Sequence, residues 1–232
     1  MLINDVWHVF PDGGEGGHWS HFTSTDLLHW DKQSGDTGLA NGDTGSLSVT
    51  DKGFSVHFPT NMELGLDQQY PVDDDFTSWT DATHVTDKPA EVGQGFRDPH
   101  RAIKMSDDNW YLGVGSGFGG ENEDNALPAT GTGCLAFMKA TDSSLTSFSY
   151  AGCLFENNST MGHLDPSTIA YSDDDMPVAF VECPDLFPIH DNNTYAAIMS
   201  FYNWGNGGYF TNEYIVGSID ADDSGNFKFR PT

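Results

Sequence analysis

The chain has 232 residues, enough for one domain with a sizeable core, and no linker-like stretch divides it. Its 35 acidic against 9 basic residues give a formal charge of −26, which argues against nucleic acid and anionic membrane as partners. Abundant aromatics (16 Phe, 8 Tyr, 6 Trp) and 26 Gly exclude a disordered chain and point to many strands joined by tight turns.

In chain order, residues 6–10 (Val-Trp-His-Val-Phe) read as a strand, entered by a turn at Asn4-Asp5 and left by one at Asp12-Gly13-Gly14. His18-Trp19-Ser20-His21-Phe22 opens a second strand that closes at Ser24-Thr25-Asp26-Leu27-Leu28-His29-Trp30. Residues 43–49 lead through the turn Asp51-Lys52-Gly53 into residues 54–58, a hairpin of alternating small and apolar positions. Further on come Ala102-Ile103-Lys104, a turn at Asp107-Asp108-Asn109, and a strand over 110–115. Residues 117–133 read as an exposed loop, and strands resume at 134–138 and 150–155. The last unit runs from 177–181 through 182–187 to strands at 195–200, 214–220 and 227–229. No helical periodicity of useful length intervenes, and no apolar run is long enough to span a membrane.

Two motifs carry chemistry. Glu182-Cys183-Pro184-Asp185-Leu186-Phe187 places a glutamate directly after an apolar strand, where Pro184 interrupts regular pairing. A partly desolvated carboxyl at such a place suits general acid catalysis. Gly95-Phe96-Arg97-Asp98-Pro99 wedges a charged pair between an aromatic and a proline, with Arg97 expected to keep the Asp98 carboxylate ionised. Two carboxyl groups held in opposite protonation states are what glycoside hydrolysis requires. Thr44, Arg97 and Glu182 each open a unit of about four strands, the radial repetition that builds a β-propeller, whose innermost strands line a central funnel. On this reading Asp98 and Glu182 converge at one end of that funnel, within about 12 Å of each other. The acidic runs Asp73-Asp74-Asp75, Asp107-Asp108 and Asp173-Asp174-Asp175 read as solvated turns, since none has the spacing of a calcium loop. No metal site and no cofactor is expected.

In order and spacing these motifs resemble glycoside hydrolase family 32, the invertases, levanases, inulinases and fructosyltransferases that act on β-fructofuranosides. The family carries a very similar Trp-Gly-His and then Ser-x-Asp-Leu-x-His-Trp, a Ser-Gly-Ser strand matched by Thr44-Gly45-Ser46, a Phe-x-x-Trp strand matched by residues 76–79, an Arg-Asp-Pro and a Glu-Cys. The resemblance implies an all-β, five-bladed propeller with about four blades inside this chain, so that residues 1–232 form a partial domain of that type. It implies a retaining mechanism in which Glu182 is the acid/base and Asp98 stabilises the transition state. Arg97, Trp19, Thr44, Gly45 and Cys183 would shape the fructose pocket, and the partner would be a sucrose, inulin or levan type of fructoside.

The chain departs from that pattern at the nucleophile. The family holds it in a Trp-Met-Asn-Asp-Pro-Asn-Gly-like stretch; Asn4-Asp5 lacks the proline, and Asp12 stands where a glutamine is usual. Residues 1–232 are therefore expected to be incomplete at both ends and, alone, inactive. A fructoside-binding relative without activity and a different five-bladed glycosidase, arabinanase-like, are the alternatives. Of three cysteines, Cys134 and Cys153 flank a hairpin and could pair if the chain is secreted. Sequons beginning at Asn157, Asn158 and Asn192 permit glycosylation, so a secreted or vacuolar protein is expected.

Overall fold

The structure, a computed structural model, describes residues 1–11, 13, 17–33, 37–39, 44–50, 52–60, 64–92, 95–117, 133–156, 180–190, 193–203, 209–221 and 227–231. These residues form four antiparallel sheets taken strictly in chain order. The first holds β1 (Leu2–Ile3), β2 (Val6–Val9), β3 (Phe22–Ser24) and β4 (Asp31–Lys32). The second holds β5 (Ser46–Thr50), β6 (Gly53–Pro59), β7 (Gly65–Gln69) and β8 (Thr83–Asp87). In the third, β9 (Phe96–Arg97) and β10 (Ile103–Lys104) both pair with β11 (Trp110–Gly117), followed by β12 (Gly133–Ala140) and β13 (Phe148–Glu156). The fourth is β14 (Phe180–His190), β15 (Thr194–Asn203), β16 (Tyr209–Ala221) and β17 (Phe227–Pro231).

Period-two alternation explains how the sheets stack, because successive side chains of a strand leave on opposite faces. On β11 and β12, Tyr111, Leu135 and Phe137 enter a core shared with Val181, Leu186, Tyr195, Ala197 and Met199 of the fourth sheet. Their neighbours Leu112, Val114, Cys134, Ala136 and Met138 enter a second core with Leu66 and Val85 of the second sheet. A third core, around Trp19, Leu39, Val56, Phe58, Phe76 and Trp79, joins the first two sheets. Each core thus lies between consecutive sheets, and the chain is an all-β propeller whose described residues supply four blades.

Several local expectations are met. Asn4 and Asp5, both at positive φ, make the two-residue turn of the β1–β2 hairpin. The run from Ser24 to His29 is a capped turn: the Asp26 carboxylate accepts the Leu28 and His29 N–H groups at 2.8 Å, and Ser24 Oγ accepts Leu27 N–H at 2.8 Å. Asp73 and Asp107 likewise sit in turns, Asp73 accepting Thr77 N–H at 2.8 Å and Asp107 accepting Tyr111 O–H at 2.8 Å. Cys134 and Cys153 form a disulfide joining β12 to β13 beside a break in their register.

Residues 76–79 are a correction. They form no strand; Phe76 has φ 57° in a turn held by Asp73, and Trp79 makes one bridge to Pro71. Both aromatics instead plug the core between the first two blades. Asp12, Asp43, residues 118–132, Asp173-Asp174-Asp175, residues 177–179 and the sequon asparagines Asn157, Asn158 and Asn192 lie outside the described residues.

Candidate active site

The innermost strands of the third and fourth blades are interrupted, and each motif lies at a break. Between β9 and β10, residues 98–102 stand opposite 112–114 of β11, so the chain leaves the ladder at Asp98. On β14 the register shifts between Glu182 and Asp185, where Pro184 has no N–H to give. Asp98 (φ 53°) and Cys183 (φ 45°) both adopt the left-handed conformation, unusual for residues with a Cβ. These kinks turn both segments toward each other.

Asp98 is where three blades meet. Its side chain is 7% exposed, so its carboxylate needs partners in place of water. Oδ1 accepts the Thr44 hydroxyl, from the entry to β5, and Oδ2 accepts the Cys183 N–H at 3.0 Å. The Cys183 thiol, 3.7 Å away, donates to the same oxygen. Partial burial, Asp98 and Glu182 together push that thiol up to about 11, so it remains the S–H donor.

Arg97 faces both carboxyl groups. Its guanidinium donates to Glu182 Oε1, whereas its nearest approach to Asp98 is 3.9 Å. Because Asp98 has left β9, the guanidinium stands between its neighbour's carboxylate and the one across the blade boundary. The two carboxyl groups still share one arginine, which places Glu182 beside Asp98 as expected.

Asp98, Cys183, Thr44, Gly45, Arg101 and Asp185 line a cavity of about 340 Å³. Trp19 does not join them. It is buried between the first two blades and lines an adjoining, larger cavity with Phe10, Lys104 and Trp110. A side chain at Gly45 would meet the His57 carbonyl at 2.2 Å and the Trp19 ring at 3.0 Å, so the protein's own chain fills that space. Asp5 is exposed in the β1–β2 turn and lines neither cavity. Among the described residues no group of three His, Cys, Asp or Glu is disposed to hold a metal ion.

Sequence reasoning missed His100. It is 3% exposed, borders the same cavity as Asp98 and Pro99, and is held against Gly113 of β11. A lone histidine after a proline carries no periodic signal, so nothing in the sequence marked it.

The propeller thus gathers two carboxyl groups and an arginine where its inner strands break. The chain matches the glycosyl hydrolases family 32 N-terminal domain over residues 1–230, and it belongs to that family. No curated protein sequence matches it. Among solved structures it is similar to a glycoside hydrolase family 32 protein from Bifidobacterium adolescentis, with TM-score 0.68 and 15% identity, covering 100% of this chain and 45% of that one. It is similar also to the β-fructofuranosidase of Aspergillus kawachii complexed with glycerol (TM-score 0.68, 14% identity, 98% and 42% covered). A third is the fructan 1-exohydrolase IIa of Cichorium intybus in complex with 1-kestose (TM-score 0.63, 16% identity, 97% and 42% covered). The chain thus spans less than half the length of these structures.

Proposed function

We propose that the Asp98–Arg97–Glu182–Thr44 cluster is the sugar site of a glycoside hydrolase that cleaves β-fructofuranosidic bonds in sucrose or a fructan by a retaining route. The observation that carries this reading is the meeting of Asp98 and the Arg97–Glu182 pair at two broken inner strands, in a chain of family 32. The 1-kestose held by the similar Cichorium intybus enzyme supports the substrate class.

In this mechanism Glu182 protonates the departing glycosidic oxygen and then activates water. Asp98 accepts hydroxyls of the fructose ring and stabilises positive charge as it develops there. The nucleophile is assigned to no residue in 1–232; Asp5, exposed in its turn, does not fill the role. The Cys134–Cys153 disulfide supports a secreted or vacuolar setting.

The test compares Glu182→Gln and Asp98→Asn in the full-length protein. General acid catalysis contributes about 10²–10⁴-fold, so Glu182→Gln is expected to cut sucrose turnover by that range. A nitrophenyl fructoside, whose leaving group needs little protonation, should restore bond breaking in this variant and give a burst. Asp98→Asn should lose rate on both substrates alike. Equal losses by both variants on both substrates would refute the division of roles. A full-length protein that binds 1-kestose but cleaves nothing would be a binding relative instead.

A further inference from the structure

The stretch that carries Asp98 out of the ladder has backbone polar groups without strand partners, and something must hold it in place. Two buried side chains do so. At its far end, Ser48 of β5, fully buried, accepts the Ala102 N–H at 2.8 Å. In its middle, the His100 N–H donates to the Gly113 carbonyl at 2.9 Å, and the Gly113 N–H donates to His100 Nε2 at 2.9 Å. The remaining ring nitrogen, Nδ1, lies against the Arg101 carbonyl.

These contacts fix the tautomer. Nε2 must keep its lone pair to accept from Gly113, so the proton is on Nδ1 and donates to Arg101. The ring is neutral; burial holds it down at about 4. The approach is close enough that a Cβ on Gly113 would lie 2.4 Å from Nε2.

We propose that His100, assisted by Ser48, is a positioning residue that sets the Asp98 carboxylate against Cys183 and Thr44. It acts as a neutral one-donor, one-acceptor bridge between the interrupted strand and β11. Its effect on turnover rests on the proposed glycosidase activity; its effect on geometry does not.

The test uses the full-length protein with His100→Gln, whose amide keeps one donor and one acceptor, and His100→Leu, which has neither. Two readouts are taken: turnover of sucrose per folded molecule, and hydrogen exchange of the Cys183 amide, which donates to Asp98 outside the β14–β15 ladder. His100→Leu is expected to lower kcat at least tenfold with a smaller change in KM. It should also raise Cys183 exchange at least tenfold relative to amides in β12 and β16, while His100→Gln stays within about threefold on both. A folded His100→Leu protein with unchanged Cys183 exchange overturns the proposal. So does a His100→Gln protein as impaired as His100→Leu. If His100→Leu does not fold, Ser48→Ala, which removes one acceptor, must raise Cys183 exchange, and no change there overturns it. A wild-type protein without activity on sucrose or fructan would instead defeat the glycosidase reading, leaving the exchange result to decide the role of His100.

Discussion

At the scale of single residues, the site is arranged to hold one carboxylate in a fixed direction. Asp98 takes donors from two neighbouring blades, and charged hydrogen bonds of this kind are worth about 1.5–3 kcal/mol each. Cys183 contributes through its backbone and its thiol. The surroundings that keep its thiol protonated also make it a poor nucleophile. With its titration near 11 against about 8.5 for an ordinary cysteine, the thiolate fraction at pH 8 is lower by about two orders of magnitude. Alkylation by iodoacetamide, followed by mass spectrometry, is expected to be about a hundredfold slower at Cys183 than at an exposed cysteine of a model peptide. Asp98→Asn, which removes the nearest negative charge, should speed it. A Cys183 that reacts at the peptide's rate would mean that Asp98 does not engage it.

At the scale of elements, the third and fourth blades touch where side chains are missing. Gly115 on β11 pairs with Arg97, and a Cβ there would lie 2.3 Å from the Val181 carbonyl, immediately before Glu182. Because the obstacle is backbone, β14 itself would have to move. Gly115→Ala is therefore expected to destabilise the protein by about 1–3 kcal/mol, as overpacking does. It should also lower activity beyond the loss of folded protein, since the displaced strand carries Glu182. Urea midpoints set beside turnover per folded molecule separate the two effects. A variant with normal stability and normal turnover would show that the contact between β11 and β14 does not constrain the site.

At the scale of the whole molecule, burial has gathered histidines in their neutral form. His21, His57 and His100 are each held down at about 4, chiefly by burial, against an unfolded value of about 6.5. Between those limits the unfolded chain binds protons that the folded chain refuses, so stability falls as pH falls. The loss is at most about 1.4 kcal/mol per pH unit for each histidine, begins near pH 6.5 and stops near pH 4. His57 is the clearest probe, because Nε2 meets only the Leu145 carbonyl at 3.2 Å and Nδ1 is buried without a partner. Urea midpoints at pH 7, 5.5 and 4.5 should decline, and His57→Gln should flatten the decline. A midpoint that does not change over this range would refute the prediction.

The sequence by itself determined the class of fold, the division into units opening at Thr44, Arg97 and Glu182, and the two motifs of the site. Those features are local: alternation reports a strand's two faces, and a proline beside a charged residue reports a broken ladder wherever the chain goes. The pairing of Cys134 with Cys153 stayed open until β12 and β13 were seen side by side, because spacing bounds a disulfide without selecting it. Residues 76–79 misled because aromatics spaced like a strand serve a core equally well from a turn. Nearness in sequence placed Arg97 by Asp98, and they are 3.9 Å apart, but nothing local showed that the guanidinium also reaches Glu182 on the next blade. His100 gave no signal at all, since its partners, Gly113 and the Arg101 carbonyl, come together only when the strand breaks. Partners across a blade boundary are set by how two sheets stack, and that is decided only by the tertiary structure.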